Sequence, residues 1–210
     1  MEDSERLSYI YGGIVVAQKA IKKFTSALLR HPKKINWTKV SYKMGQVLEQ
    51  YVIDTDIFIY ISADPSYSFY DTCIHGQASV PSKWDCEKDL EIHVDISEDL
   101  FYNRILITPE YIEHVERMFV LTFIHELTHT TQYDDKVKEQ LRGSKREQYL
   151  SSCFELDAYS AECAYEMSLN GGLRTTTEAY LRYNSVRDRK IFRKFRDMTL
   201  EKFAYLKNHK

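Results

Sequence analysis

Residues 118–127 read MFVLTFIHEL, an almost wholly apolar run that places a histidine and a glutamate near its end. A segment that is apolar on nearly all sides predicts a helix buried over most of its surface. The chain continues with THTTQY, so that His125, Glu126 and His129 form the pattern H-E-x-x-H. Histidines are costly to bury without partners. Residues four apart share one face of a helix, and a metal ion bound by both imidazoles would supply the partner.

The helix that carries this pattern has recognisable boundaries. Thr, Pro and Glu at positions 108–110 are typical of a helix start with threonine as the N-cap, and the apolar pattern predicts a helix over residues 109–133. A second helix is predicted over residues 150–169, because an Asn-Gly-Gly stop follows directly. Further helices are predicted over residues 8–30 and 177–208.

Two segments between the predicted helix at residues 8–30 and the H-E-x-x-H helix read as strands. DIFIYISAD at 56–64 is rich in β-branched and aromatic residues, and LEIHVDIS at 90–97 alternates apolar with polar residues. The alternation predicts a half-exposed antiparallel strand near an edge of the sheet. Residues 65–89 read as a long irregular stretch, and residues 40–53 are ambiguous. The order of elements predicts an α+β fold, with a small, mostly antiparallel sheet before the H-E-x-x-H helix and additional N- and C-terminal helices.

The composition argues against a membrane protein. No run of about 18 apolar residues occurs, the least that a membrane-spanning helix needs. The first residues, MEDSERLSYIYGG, lack the basic and apolar regions of a secretory signal. We therefore expect a cytoplasmic location and no membrane partner.

Charge is distributed unevenly, although the net charge is only -2. The first 50 and the last 38 residues together hold 20 of the 29 Lys and Arg but eight of the 31 Asp and Glu. Residues 51–172 therefore carry nine basic and 23 acidic residues. An acidic cleft with basic helices around it fits this pattern, and so does a basic surface for an acidic partner. No basic motif interleaved with aromatic residues is present, so binding of nucleic acid is the less favoured explanation.

A zinc peptidase needs a third protein ligand and leaves the fourth position open. One candidate is Asp135, which stands where the extended pattern H-E-x-x-H-x-x-G-x-x-H has its last histidine, although the glycine of that pattern is missing. The other candidates are the acids of the second helix, Glu155, Asp157 and Glu162. Glu155 and Glu162 share a face, but Glu155 could equally complete a capping box with Ser152.

FIHELTHTTQY, followed after a connector by YLSSCFELDAYSAE, resembles the compact gluzincin-type zinc metallopeptidases. It is similar to uncharacterised H-E-x-x-H proteins of bacteria and phages that carry an E-[IL]-D-A-Y segment after the active-site helix. The resemblance covers residues 110–169. It implies a zincin-like fold in which Glu155 is the third ligand, and a location in the host cytoplasm or the virion if a phage encodes the chain. It also implies that the strand LEIHVDIS could hold an extended peptide by edge pairing.

The chain departs from the larger gluzincins at one supporting position. Those proteins place an aspartate four residues after the ligand glutamate to support a metal-binding histidine, whereas this chain has Tyr159 there. Asp157 is the candidate for that supporting role. A stabiliser of the oxyanion is also expected near the metal. The candidates are Tyr133, Tyr149, Tyr159 and His93, of which Tyr159 is the predicted stabiliser.

The expected function is that of a zinc metallopeptidase, a hydrolase that cleaves a peptide or protein substrate by a metal-activated water. His125, His129 and Glu155 would bind Zn²⁺, and Glu126 would act as general base and then as general acid. The alternative is a non-catalytic structural or virion-associated protein in which zinc staples two helices and the basic ends bind a protein or nucleic-acid partner.

Two regions are expected along the chain. Residues 1–172 would form the zincin-like metallopeptidase domain, with a helical N-terminal part at residues 1–50. Residues 173–210 would form a basic helical extension packed on that domain.

Overall fold

The computed structural model describes residues 3–30, 35–64, 72–79, 88–98, 107–132 and 145–209, and its fold is α+β. The helices are α1 (Asp3–Leu28), α2 (Trp37–Glu49), α3 (Pro109–Thr130), α4 (Lys145–Ser151), α5 (Cys153–Leu169), α6 (Glu178–Asn184) and α7 (Arg189–Asn208), with a short 3-10 helix at Arg174–Thr176. The strands are β1 (Asp56–Asp64), β2 (Thr72–Ala78) and β3 (Asp89–Ser97). Within these described ranges, no helix combines the length and the apolar character needed to cross a membrane.

The three strands form a mixed sheet in the order β1–β3–β2. β3 pairs in parallel with β1 and antiparallel with β2. The predicted alternation of β3 is confirmed, since its buried residues are Leu90, Ile92, Val94 and Ile96. The predicted edge position and the mostly antiparallel sheet are wrong, because alternation reports which face a side chain takes but not how many neighbours the strand has. β3 therefore has no edge left for a peptide.

β2 lies inside the stretch that was predicted to be irregular. Its sequence, TCIHGQA, has one buried aliphatic residue, Ile74, and the next position on that face is Gly76. The segment therefore lacks the regular alternation of large apolar and polar residues by which a strand is predicted. The Thr122 hydroxyl of α3 donates a hydrogen bond to the Ile74 carbonyl at 3.4 Å, so β2 runs alongside the H-E-x-x-H helix.

The predicted helix boundaries around the H-E-x-x-H pattern are largely confirmed. Thr108 caps α3 by accepting a hydrogen bond from the Tyr111 N–H at 3.1 Å. At the end of α5, Gly171 and Gly172 have φ values of 71° and 91°, and the Gly172 N–H donates to the Met167 carbonyl. The second predicted helix is divided into α4 and α5. The ambiguous residues 40–53 belong mostly to α2.

Two apolar clusters place the helices around the sheet. The larger cluster joins α1, α2 and α3 to the sheet, and α1 approaches α3 closely because a Cβ atom at Gly13 would lie 2.8 Å from a methyl carbon of Leu127. The smaller cluster joins α5 to α6 and α7, with the rings of Tyr183 and Phe195 stacked at 4.2 Å. α1, from the N-terminal part of the chain, therefore packs against α3, whereas α6 and α7, from the C-terminal part, pack against α5.

Candidate metal centre

α3 and α5 bring His125, His129 and Glu155 together. The Nε2 atoms of the two histidines lie 3.1 Å apart. The Glu155 carboxylate approaches them with Oε2 at 3.4 Å from Nε2 of His125 and Oε1 at 3.5 Å from Nε2 of His129. Within the described residues, these three side chains form the one group whose ligand atoms converge closely enough for a metal ion.

The spacing of the three side chains fits zinc. Tetrahedral Zn²⁺ with bonds of about 2.0–2.1 Å keeps neighbouring ligand atoms about 3.3–3.4 Å apart. This is close to the distance between the two Nε2 atoms and to the distance from each of them to one oxygen of Glu155, Oε2 for His125 and Oε1 for His129. Oε2 of Glu155 is buried and has no hydrogen-bond partner among the described residues, and a cation would satisfy it. Ser152 caps α5 by accepting a hydrogen bond from the Phe154 N–H, and the Glu155 carboxylate lies against the two histidines.

The outer nitrogen of each histidine has a different partner. Nδ1 of His125 lies 2.5 Å from Oε1 of Glu162, and Nδ1 of His129 lies 2.8 Å from Oε1 of Gln132. Both Nε2 atoms therefore face the centre, as metal-binding imidazoles require. Glu162, one of the candidate ligands, instead supports His125. The Asp157 carboxylate, predicted to support a histidine, contacts Gln132 at 3.0 Å, so any support that it gives to His129 would pass through that amide.

The carboxylates create a site that attracts positive charge. Burial lowers the pKa of His125, but Glu162 and Glu155 outweigh it and raise this pKa to about 10. Burial and the neighbouring His125 lower the pKa of His129. Burial raises the pKa of Glu155, but the contact with His125 leaves it below its ordinary value. A metal ion would take the place of the His125 proton.

Glu126 is buried beside the three converging side chains, with 5% of its surface exposed. Burial raises its pKa to about 7, with Glu155 and Glu162 adding to the rise and His125 opposing it. A group with a pKa near 7 is suited to acid–base catalysis at neutral pH. Gly76 of β2 leaves the room for this side chain, because a Cβ atom there would overlap its Cγ and lie 2.8 Å from its Oε1.

A cleft with a volume of about 440 Å³ lies beside the centre, and of the three converging side chains His125 is the one that lines it. His125 and Glu126 line its floor, and one side is formed by the β2 residues between positions 72 and 76. Ala179 and Arg182 of α6 also line it. The C-terminal extension therefore contributes to the cleft, although the sequence placed it outside the predicted metallopeptidase domain.

Tyr159, the predicted oxyanion stabiliser, lines this cleft beside His125. Its ring lies edge-on to the imidazole at a centroid distance of 4.6 Å. Nη1 of Arg182 donates a hydrogen bond to its hydroxyl oxygen at 2.5 Å, which leaves the hydroxyl proton to be donated elsewhere. Burial raises the pKa of Tyr159 to about 12, so the proton is retained at neutral pH. Tyr149 also lines the cleft, and burial and Glu155 raise its pKa.

The remaining candidates do not reach the described centre. His93 points to the other face of the sheet, where its ring stacks between Tyr60 and His75 at 4.7 Å from each. Tyr133 and Asp135 lie outside the described residues.

Three residues that the sequence did not single out touch the site, namely Gln132, Gly76 and Arg182. Gln132 could have been found from its position three residues after His129, a spacing that brings helical side chains together. Gly76 and Arg182 carry no signal in the sequence, because strand pairing and the packing of α6 bring them to the cleft.

No protein-family model, curated protein or solved structure matches the chain. The geometry of the centre and its cleft is therefore the basis for assigning a function.

Proposed function

We propose that the protein is a zinc-dependent metallopeptidase with a zincin-like active site. The observation that carries the proposal is the convergence of two Nε2 atoms and one carboxylate at the spacing of zinc ligands. His125, His129 and Glu155 would hold the ion. Among the described residues no fourth side chain joins this group, and His125 and Glu126 line a cleft. Both features favour a catalytic site over a zinc ion that only staples two helices.

Zinc in such a site polarises a carbonyl group and activates water for attack. The chain supplies the proton transfers. Glu126 lies beside the proposed ligands in the cleft, where it can accept a proton from the attacking water and return it to the leaving amine. Tyr159 can donate its hydroxyl proton to the developing oxyanion, because Arg182 already occupies a lone pair of its oxygen.

The cleft also offers a place for an extended substrate. β2 is an outer strand of the described sheet, with β3 on one side and the cleft beside it. A peptide that pairs with the outer edge of β2 would pass above Glu126. This assigns to β2 the edge pairing that the sequence had suggested for β3.

The test is metal analysis of the purified chain together with the variant Glu126→Gln. We expect about one zinc ion per chain, and cleavage of a mixed library of fluorogenic peptides. Glu126→Gln should retain zinc but lose roughly 10²–10⁴-fold in cleavage, the usual contribution of a general base. Glu113→Gln, an exposed change on the same helix, is the matched control. A chain that binds no stoichiometric zinc, or cleavage that survives Glu126→Gln, would refute the proposal.

A further inference from the structure

Asp157 is a buried carboxylate that joins the two ends of the chain to the back of the metal centre. Only 8% of its surface is exposed. Arg6, in the first turns of α1, donates a hydrogen bond to Oδ2, and Lys202 of α7 donates to Oδ1 at 2.8 Å. Lys202 is itself 6% exposed, and a buried lysine is rare unless it is paired. Two cations from the basic ends of the chain therefore meet one buried acid.

Gln132 connects this ion cluster to His129. Its Nε2 group donates hydrogen bonds to Oδ2 of Asp157 and to the carbonyl oxygen of Phe154, both at 3.0 Å. Two acceptors on that side fix the orientation of the amide, because only its NH₂ group can donate to them. The amide oxygen must then face Nδ1 of His129, at 2.8 Å.

This orientation determines where His129 carries its proton. An amide oxygen accepts hydrogen bonds and cannot donate them, so the proton lies on Nδ1. The lone pair of Nε2 then points towards His125 and Glu155. Asp157 thus acts on the centre through Gln132. Without the carboxylate, the amide would lose one of the acceptors that hold it in this orientation.

We propose that Gln132 and Asp157 are positioning residues for His129, and that Arg6 and Lys202 couple zinc binding to the docking of both ends of the chain. The inference rests on the metal centre of the proposed function, but not on catalysis. Coupling of this kind is reciprocal. Docked ends favour the zinc-binding orientation of His129, and zinc favours the docked ends.

The first test measures zinc affinity by competition with a chelator of known affinity. Gln132→Leu should weaken binding about 10- to 100-fold, as loss of a partner behind a metal-binding histidine does. Lys202→Met should weaken it less, by about 3-fold or more, because it acts through two further residues. Lys207→Met removes the same charge from an exposed position of α7 and should leave the affinity unchanged. Circular dichroism and melting with saturating zinc would show that each variant is folded.

The second test measures the reciprocal effect by hydrogen exchange of the full chain with and without zinc. In the wild type, zinc should slow exchange in the segments that contain Arg6 and Lys202. In Gln132→Leu, this slowing should be lost even at saturating zinc, while the slowing around His125 persists. The visible spectrum of the cobalt-substituted chain should also change in Gln132→Leu, because the His129 ring is no longer held.

The outcomes separate this inference from the proposed function. A chain that binds zinc and shows the coupling but cleaves no peptide would remove the peptidase proposal and leave the inference standing. Equal zinc affinity in the wild type and folded Gln132→Leu would overturn the inference, even if the wild type is an active peptidase. So would zinc-induced protection of α7 that is unchanged in Gln132→Leu. A wild-type chain that binds no zinc would overturn both.

Discussion

The floor of the cleft, formed by α3 and α5, differs from its wall, formed by β2 and α6, in how its residues are held. On the floor, every proposed ligand lies on a helix of 17 or 22 residues and is buried or half-buried. Both histidines proposed as ligands have a partner on their outer nitrogen, Glu162 for His125 and Gln132 for His129. Long helices and hydrogen bonds behind both histidines therefore hold the floor in the way that a metal centre would need.

The wall is built from shorter and more exposed pieces. β2 is an outer strand, and α6 has only seven residues. α6 is anchored to α5 at its start, where the Glu166 carboxylate accepts a hydrogen bond from the Glu178 N–H at 3.1 Å. The wall reaches the site through Gly76, which lies against Glu126, and Arg182, which binds Tyr159. We infer that the floor determines metal affinity, whereas the wall affects turnover by placing the side chains of Glu126 and Tyr159.

Of the variants considered, Gly76→Ala should separate turnover from zinc affinity most strongly. The new methyl group would overlap Glu126 and displace its carboxylate from the proposed catalytic position. A displacement of about 1 Å can reduce catalysis about 100-fold, and we expect a loss of that size in kcat/KM. Zinc affinity should stay unchanged, because the three atoms nearest to the new methyl group all belong to Glu126. Peptide cleavage and chelator competition on the same preparation would measure both.

Gly45→Ala is the matched control for this change. Gly45 lies in α2, and the nearest atom to a new Cβ there is the Ile57 carbonyl oxygen at 3.9 Å, which is ordinary contact. This variant should cleave peptides as the wild type does. Wild-type turnover in folded Gly76→Ala would contradict the role of the wall in placing Glu126.

Glu162→Gln should instead lower zinc affinity, and this loss should be smaller than the loss of turnover in Gly76→Ala. The amide oxygen can still accept the His125 proton, but it lacks the negative charge that strengthens the imidazole as a ligand. We expect zinc affinity to fall about 10-fold, the lower end of the effect of such partners. At saturating zinc, turnover should return close to that of the wild type. Glu178→Gln removes an exposed charge from the same cleft and should not change zinc affinity; equal losses in the two variants would contradict the assignment of Glu162.

The floor was predictable from the sequence because its signals are local. The H-E-x-x-H spacing places two imidazoles on one helical face, and the Thr108 cap and the Asn-Gly-Gly stop are read within a few residues. The convergence of Glu155 on the histidines was reached only through resemblance, since Glu162 and Asp157 offered the same chemistry. Their different roles depend on the packing of α5 against α3, which no spacing reveals.

The wall could not be predicted, because its signals are not local. β2 lacks the aliphatic alternation of a strand, since Gly76 occupies a core-facing position where a large side chain would collide with Glu126. The central position of β3 depends on pairing with strands on either side. Arg182 belongs to a basic helix that the sequence showed only as a charged extension. Its partner Tyr159 lies 23 residues away in the chain.

Arg182→Met should give the smallest of these effects and should act through Tyr159. Loss of the hydrogen bond to the Tyr159 hydroxyl removes the group that orients it. We expect kcat to fall about 2- to 10-fold, which corresponds to the about 0.5–1.5 kcal/mol of one hydrogen bond. KM and zinc affinity should change little. Arg187→Met, an exposed change beyond the end of α6, is the control.

A double-mutant cycle distinguishes this indirect role from a separate contact between Arg182 and the substrate. In a Tyr159→Phe background there is no hydroxyl left to orient, so Arg182→Met should cause no further loss of kcat. Full additivity of the two changes would mean that Arg182 acts on the substrate directly. In that case the wall would bind the substrate through Arg182, and it would also place Glu126 and Tyr159 beside the proposed metal centre.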